Sequence, residues 1–118
     1  SNGNHLSFRI SIKYFRMIKI EGSGIGFIDV MDLDIKQDLK KKIKKHLLDL
    51  IIDCSKTIPD TSFLSEIWSF QKINNRCFVI IIPLEKKINY PESWDIVSTK
   101  QEALDFISFE QMQRELGF

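Results

Sequence analysis

Hydrophobic and polar residues alternate along the first part of the chain. Apolar side chains recur at every second position over residues 8–14, and the same alternation returns over residues 17–21. A period of two is typical of a strand with one buried face, and a turn near residues 15 and 16 would join the two stretches as an antiparallel pair. Glycines 22, 24 and 26 follow, and residues 27–30 then predict either a third short strand or a buried loop.

Two later stretches have a different pattern. Residues 47–53 and 77–84 are short and almost continuously apolar, as in strands that are covered on both faces of a parallel sheet. Between them, residues 60–74 carry large apolar side chains at helical spacing. The order strand, helix, strand predicts a right-handed crossover, which would make the two apolar runs parallel neighbours. Residues 96–98 predict a last short strand.

Helix boundaries are marked by capping signals. Asp34 and Gln37 have the spacing of a capping box, and an apolar residue then recurs every four positions at Ile35, Leu39, Ile43 and Leu47. Lysines fill the other faces of this predicted helix. Thr99 and Glu102 form a second capping box before the last helix, and Gly117 is a typical C-terminal stop.

These elements predict an α/β fold with a mixed sheet of four to five strands, central parallel strands, and helices mainly on one face. The chain has 118 residues, fewer than the roughly 150 residues expected per domain. We therefore expect one domain over residues 8–118, with residues 1–7 as an N-terminal tail or a remnant of cloning. A content of 43% hydrophobic and 28% charged residues excludes collagen-like, low-complexity and wholly disordered classes.

Charge and hydropathy narrow the expected partners and location. Seventeen Lys and Arg residues against sixteen Asp and Glu residues leave a formal net charge of +1, so nucleic acid is not an expected partner. Apolar runs such as residues 78–82 are far shorter than the ~20 residues that cross a bilayer, and no signal-peptide pattern opens the sequence. We expect a cytoplasmic protein without a membrane span.

The cysteines and histidines predict neither a disulfide nor a metal site. Cys54 and Cys77 would lie at opposite ends of neighbouring parallel strands, ~20 Å apart at roughly 3.3 Å per residue, whereas a disulfide needs Cα atoms within about 7 Å. Neither cysteine forms a close-spaced zinc motif with the other or with His5 and His46. We expect two buried free thiols, no metal, no cofactor and no catalytic residue.

The order of elements resembles that of the STAS domain, the fold of bacterial anti-sigma factor antagonists. Residues 51–55 are similar to the family's apolar strand that ends in Asp-Leu-Ser, and residues 60–62 are similar to the helix start that follows it. Residues 99–104 resemble the family's final threonine with its glutamate-alanine-leucine helix start. Residues 110–118 are also similar to the tail of short STAS-like proteins from the Bacteroidetes lineage.

The resemblance implies a bacterial signalling module that is not an enzyme and that docks to a protein partner, such as a kinase or an anti-sigma-like regulator. In antagonists a Ser or Thr at this helix start is phosphorylated by the partner kinase. By matching position, Asp60 aligns with the family's Asp and Thr61 with its phosphoacceptor. Thr61 and the adjacent Ser62 are the candidate phosphoacceptors, and Asp60, Thr61 and Ser62 are candidate contact residues. The chain departs from the family pattern at Pro59, where an aliphatic residue is usual, and at Phe63, where glycine is usual.

Each candidate has a structural alternative. Asp60, Thr61 and Ser62 are also ordinary helix-capping residues. Trp94, which lies in a turn-rich stretch, is a candidate partner contact or a packing residue. The lysines of residues 36–45 would either meet an anionic partner or remain solvated, and the near-neutral chain favours solvation.

The sequence supports other functions less well than it supports a docking module. The aromatic-rich helix would line a cavity, instead of filling the core, if the chain were a small-ligand or lipid carrier. The glycine-rich residues 22–26 lack the Gly-Lys-Ser/Thr and the following helix of a phosphate loop, which favours a turn. A hydrolase is disfavoured because the sequence offers no convergent acid, base and nucleophile.

Overall fold

The computed structural model of the protein describes residues 18–21, 23–30 and 36–117. The predicted strand over residues 8–14 and the capping residue Asp34 lie outside the described residues. The elements, in chain order, are β1 (Lys19–Glu21), β2 (Ile25–Asp29), α1 (Lys36–Lys45), β3 (Asp49–Asp53), α2 (Thr61–Ile73), β4 (Phe78–Ile81), a 3₁₀ helix (Leu84–Asn89), β5 (Asp95–Val97) and α3 (Lys100–Glu115).

The five strands form one mixed sheet in the order β1-β2-β3-β4-β5. β1 runs antiparallel to β2, and every other neighbouring pair is parallel. Leu50 lies opposite Phe78 and Asp53 opposite Ile81, so the two apolar runs are adjacent parallel strands as predicted. The α/β fold with a mixed sheet and central parallel strands is confirmed.

Alternate residues of the central strands belong to two separate apolar layers, one on each face of the sheet. Ile28, Ile52 and Ile80 face a layer shared with α1 and α2. Ile51 and Val79 face the opposite layer, which α3 covers. Each crossover moves one strand in the same direction, and right-handed connections then put α1 and α2 on the same face. Two of the three described α-helices therefore share one face, and the final helix covers the other.

The antiparallel pair in the described part is a hairpin of β1 and β2. Residues 27–30, which the sequence left open between strand and loop, belong largely to β2. Gly24 has a φ of 71°, a conformation that glycine adopts at low cost, and it forms part of the turn. Gly26 lies inside β2, where an added Cβ would be only 3.0 Å from Leu50 Cδ2. The favoured interpretation of the glycine-rich stretch, a chain reversal, therefore agrees with the structure.

The capping signals of the last helix are realised. Thr99 Oγ1 accepts a hydrogen bond from the Glu102 backbone N–H at 3.1 Å and donates one to Glu102 Oε1 at the same distance. Gly117, just beyond the helix, has a φ of 82°, as expected for a glycine stop. Both ends of α3 are therefore defined by local sequence.

Candidate functional site

The loop that leaves the sheet at the carboxyl end of β3 leads to the candidate residues Asp60, Thr61 and Ser62. β3 ends at Asp53, and α2 begins eight residues later at Thr61. The 3₁₀ helix starts at Leu84, three residues after β4 ends at Ile81. Because β3 and β4 are parallel neighbours, both connections leave the sheet at one edge, the usual place for sites in open α/β sheets.

The start of α2 is an exposed polar turn on a firmly packed helix. Asp60 occupies the N-cap position, but its side chain makes no capping hydrogen bond. Asp60, Thr61 and Ser62 are all exposed, whereas the next two side chains, Phe63 and Leu64, are only 4% and 0% exposed. The two hydroxyls are thus accessible on a helix whose position is fixed by its core contacts.

The loop that leads into α2 is itself held by hydrogen bonds. Asp53 Oδ1 accepts from the Ser55 backbone N–H at 3.0 Å and from Ser55 Oγ at 2.6 Å, an arrangement typical of an Asx-turn. The Cys54 backbone N–H donates to the Ile81 carbonyl at 2.9 Å, which continues the sheet ladder by one residue. The Asp-Cys-Ser segment singled out in the sequence therefore turns the chain at the carboxyl edge.

Two large aliphatic side chains are exposed on the 3₁₀ helix. Leu84 is 67% and Ile88 is 88% exposed, although both belong to residue types that usually lie inside. Glu85, Lys86 and Lys87 between them are exposed as well. An exposed apolar pair with charged neighbours is compatible with a contact surface, although other large hydrophobic side chains, such as Ile73 at 84%, are exposed as well. Sequence reasoning missed the pair because an apolar residue after a buried strand was assigned to the core.

Trp94, the other contact candidate, lies inside. Its side chain is 6% exposed and belongs to the apolar layer of α1 and α2. The Tyr90 ring stacks on it, with 5.9 Å between centroids and 23° between planes. Trp94 thus contributes packing and almost no surface, the alternative that the sequence had left open.

The two cysteines are free and buried, as predicted. Burial raises the pKa of both thiols to about 12, with the nearby carboxylates of Asp53 and Asp49 adding to the effect on Cys54 and Cys77 respectively. A thiol with that pKa is protonated near neutral pH, and the thiolate is the nucleophilic form. Neither side chain is poised for nucleophilic chemistry.

A polar cluster at the opposite, amino edge was not predicted. Asp49 is 3% exposed and accepts hydrogen bonds from the Cys77 backbone N–H at 2.8 Å, from Gln111 Nε2 at 2.8 Å and from Arg114 Nη1 at 3.0 Å. Burial alone would raise the pKa of Asp49, but the hydrogen bonds from Arg114, Cys77 and Gln111 outweigh it and hold that pKa below its usual range. The cluster ties α3 to the starts of β3 and β4. Its only signal in the sequence was a charged residue inside an apolar run.

Two lysines of the lysine-rich helix α1 form ion pairs within the molecule. Lys40 Nζ lies 2.5 Å from Glu66 Oε2 and Lys44 Nζ lies 3.5 Å from Glu66 Oε1, which links α1 to α2. Lys41 and Lys45 are exposed. This agrees with a mainly solvated face rather than a dedicated anionic contact.

Comparisons of the chain with protein-family models, with curated proteins and with solved structures found no match. The resemblance to STAS domains therefore stays a prediction. Within residues 18–21, 23–30 and 36–117, no three His, Cys, Asp or Glu side chains are grouped so that they could hold a metal ion. None of the helices over that part of the chain has the length and apolar character needed to cross a membrane.

Proposed function

We propose that this protein is a non-enzymatic docking module that works like an anti-sigma factor antagonist, with phosphorylation controlling its contact with a protein partner. The contact surface consists of Asp60, Thr61, Ser62, Leu84 and Ile88, and we call it the helix-start surface. Two observations carry the proposal: the start of α2 exposes two hydroxyls, and the 3₁₀ helix exposes two aliphatic side chains. Both segments follow the carboxyl ends of neighbouring parallel strands, β3 and β4.

Aliphatic side chains and a polar turn have complementary uses at an interface. Leu84 and Ile88 would lose water on contact, and burying an aliphatic side chain of this size is worth about 1.5–3 kcal/mol. The exposed turn at Asp60 would supply directional hydrogen bonds at the rim, where polar groups are usual. Because Phe63 and Leu64 anchor α2, the surface is preorganised and binding needs little reordering.

Phosphorylation at the start of α2 would change the charge of this surface without unfolding it. A phosphate on Thr61 or Ser62 adds about −1.5 to −2 charges. At the first turn of a helix this charge meets the positive end of the helix dipole, so the fold tolerates it. A partner that contacts the neutral turn would then meet a hydrated dianion, and the contact would weaken.

Photo-crosslinking tests the location of the surface. A benzophenone amino acid is placed at Ser62 or at Ile88 and, as the matched control, at Ser108, an exposed serine of α3. In an extract of the cells that make the protein, positions 62 and 88 should capture the same protein and position 108 should not. Equal capture at all three positions, or no capture at 62 and 88, would contradict a docking role for this surface.

The same extract tests the regulation. After incubation with ATP, mass spectrometry should find phosphate at Thr61 or Ser62, and Thr61→Asp should weaken binding of the captured partner about tenfold or more, equivalent to at least ~1.4 kcal/mol. A double variant with Thr61→Val and Ser62→Ala, which removes both hydroxyls, should bind and resist modification. An unmodified peptide over residues 61–62, in an extract that phosphorylates other proteins, would rule out this control.

The alternative function, a small-ligand or lipid carrier, is tested by a separate measurement. Phe63, Leu64 and Ile67 of α2 pack in the core, which favours a structural use of the helix. Native mass spectrometry of the protein purified from its own host would nevertheless reveal a retained small molecule as a defined mass increase. Such an adduct, together with no crosslinked partner, would replace the docking module by a ligand carrier.

A further inference from the structure

The amino edge of the sheet, opposite the helix-start surface, holds two clefts with volumes of about 280 and 370 Å³. Arg76 and Arg114 line both of them. Arg76 follows α2 and precedes β4, and Arg114 lies in the last turn of α3. The two clefts thus meet at a pair of guanidinium groups.

The two arginines differ in their hydrogen-bond partners. Both terminal nitrogens of Arg114 bind Asp49, and Arg114 Nη1 also donates to the Asn75 carbonyl at 2.7 Å. Arg76, by contrast, is half-buried, and its Nε is fully buried without a hydrogen-bond partner among the described residues. A half-buried guanidinium whose Nε–H has lost water without gaining an acceptor is incompletely hydrogen-bonded, so it gains more from a bound anion than a fully solvated one does.

The backbone around Arg76 is fixed on both sides. Asn75 has a φ of 55°, a left-handed conformation that is uncommon for a residue other than glycine. The Arg76 N–H donates to the Gln71 carbonyl at 2.8 Å, and the Cys77 N–H donates to Asp49 Oδ1 at 2.8 Å. Together with the Asn75 N–H, which donates to the Lys72 carbonyl at 3.1 Å, the first of these contacts forms a Schellman cap at the end of α2, and the cap sets the position from which Arg76 extends.

The smaller cleft has the donors that an anion needs. Lys72 lies on its wall, with Nζ 3.5 Å from Asp95 Oδ2 and 5.8 Å from the centroid of the Trp68 ring. The side-chain amides of Asn75 and Gln113 line the same cleft, and the Phe106 ring supplies an apolar wall. Its volume lies just below the roughly 300–1,000 Å³ of pockets for drug-sized ligands, which indicates a smaller guest.

We call the smaller cleft the Arg76 cleft. We propose that it binds a small organic oxyanion, a carboxylate or a phosphate monoester, on the terminal nitrogens of Arg76. The planar fork of a guanidinium matches such a group with two parallel hydrogen bonds, which a lysine cannot supply. Lys72 adds a second positive charge. Glu110, the other acid of the cleft besides Asp95, opposes the anion and limits its affinity.

A titration followed by ¹⁵N NMR tests the site. Inorganic phosphate and citrate are added separately at constant ionic strength, and the signals of the Asn75, Arg76 and Cys77 amides and of the Arg76 Nε–H group are followed. Saturable shifts confined to this cleft are expected with at least one of the two anions. A response to phosphate alone would assign a phosphate ligand, and a response to citrate alone would assign a carboxylate.

Four variants separate a built site from general charge attraction. Arg76→Gln should weaken binding at least tenfold, and Arg76→Lys should weaken it severalfold because the charge remains and the fork is lost. Lys41→Gln removes one charge from an exposed site on α1 and should leave the affinity unchanged. Glu110→Gln should tighten binding severalfold.

The proposal is overturned by shifts that rise linearly without saturation, or by equal effects of Arg76→Gln and Lys41→Gln. It is also overturned if Arg76→Gln binds as the parent does while its spectrum stays dispersed. None of these results bears on the helix-start surface, because the two sites lie at opposite edges of the sheet.

Discussion

At the scale of single residues, the buried carboxylate of Asp49 needs several hydrogen-bond donors to replace the water that it has lost. A carboxylate with 3% exposure is tolerable only because Arg114, Gln111 and the Cys77 backbone all donate to it. These residues are far apart in the sequence, since Arg114 follows Asp49 by 65 positions. Periodicity gives no information on such a pair, since it concerns neighbours within one element.

Arg114→Met should destabilise the protein by about 3 kcal/mol, because it leaves the Asp49 charge buried without its main partner. Urea unfolding measures the loss. The double variant Arg114→Met with Asp49→Asn should recover part of it, since the unpaired charge is gone. If the losses of Arg114→Met and Asp49→Asn simply add in the double variant, the pair contributes no coupling.

Asp49 also predicts a pH dependence. Its pKa in the folded protein is lower than its unfolded value near 3.8, so folding binds fewer protons at this group. The stability that it contributes is therefore complete above that pH and disappears as the pH falls through the lower folded value. The stability difference between the parent and Asp49→Asn should be constant near neutral pH and shrink in strong acid, as measured by urea unfolding at several pH values.

The thiols give a simpler prediction at the same scale. Cys54 and Cys77 should react with a thiol reagent at pH 8 only after unfolding, because each is buried and has its pKa raised to about 12. Absorbance after addition of the reagent, with and without denaturant, counts the accessible thiols. Fast reaction of the folded protein would mean that one strand end opens readily.

At the scale of elements, α2 and α3 begin with different chemistry. Thr99 caps α3 through its hydroxyl, whereas the Asp60 side chain at the corresponding position of α2 makes no capping bond. Local sequence was a good guide to both helix starts, because capping involves residues only three apart. It did not reveal that one start is capped by its side chain and the other is not.

This difference predicts unequal costs of alanine at the two caps. Thr99→Ala should lower the free energy of unfolding by about 1 kcal/mol, the usual value for a lost cap. Asp60→Ala should cost less, and it should retain the dispersed NMR spectrum of the parent. A loss at Asp60 as large as that at Thr99 would contradict the difference in capping.

At the scale of the whole molecule, two isoleucines from successive elements, β4 and the 3₁₀ helix, have opposite environments. Ile80 in β4 is 0% exposed, and Ile88 in the 3₁₀ helix is 88% exposed. Ile80→Ala should destabilise the protein by about 2–5 kcal/mol because it leaves a cavity in a central strand. Ile88→Ala should change stability by less than ~0.5 kcal/mol, as expected of a surface site.

The same pair of variants connects stability with docking. Ile88→Ala should fold like the parent and lose much of its binding to the partner captured at position 62. Thermal or urea unfolding measures the first property, and a binding assay with the captured protein measures the second. Full binding by Ile88→Ala would remove the 3₁₀ helix from the helix-start surface.

The sequence by itself determined the strand, helix, strand order around α2, the parallel pairing of the two apolar runs and the start of the last helix. These features follow from residues close together in the chain, through strand alternation, helical spacing and capping. The tertiary structure alone decided that Trp94 is packed inside, that Ile88 lies outside, and that Asp49 and Arg76 differ in their partners. Burial and ion pairing depend on which distant segments meet, and a linear pattern of residues contains no such distances.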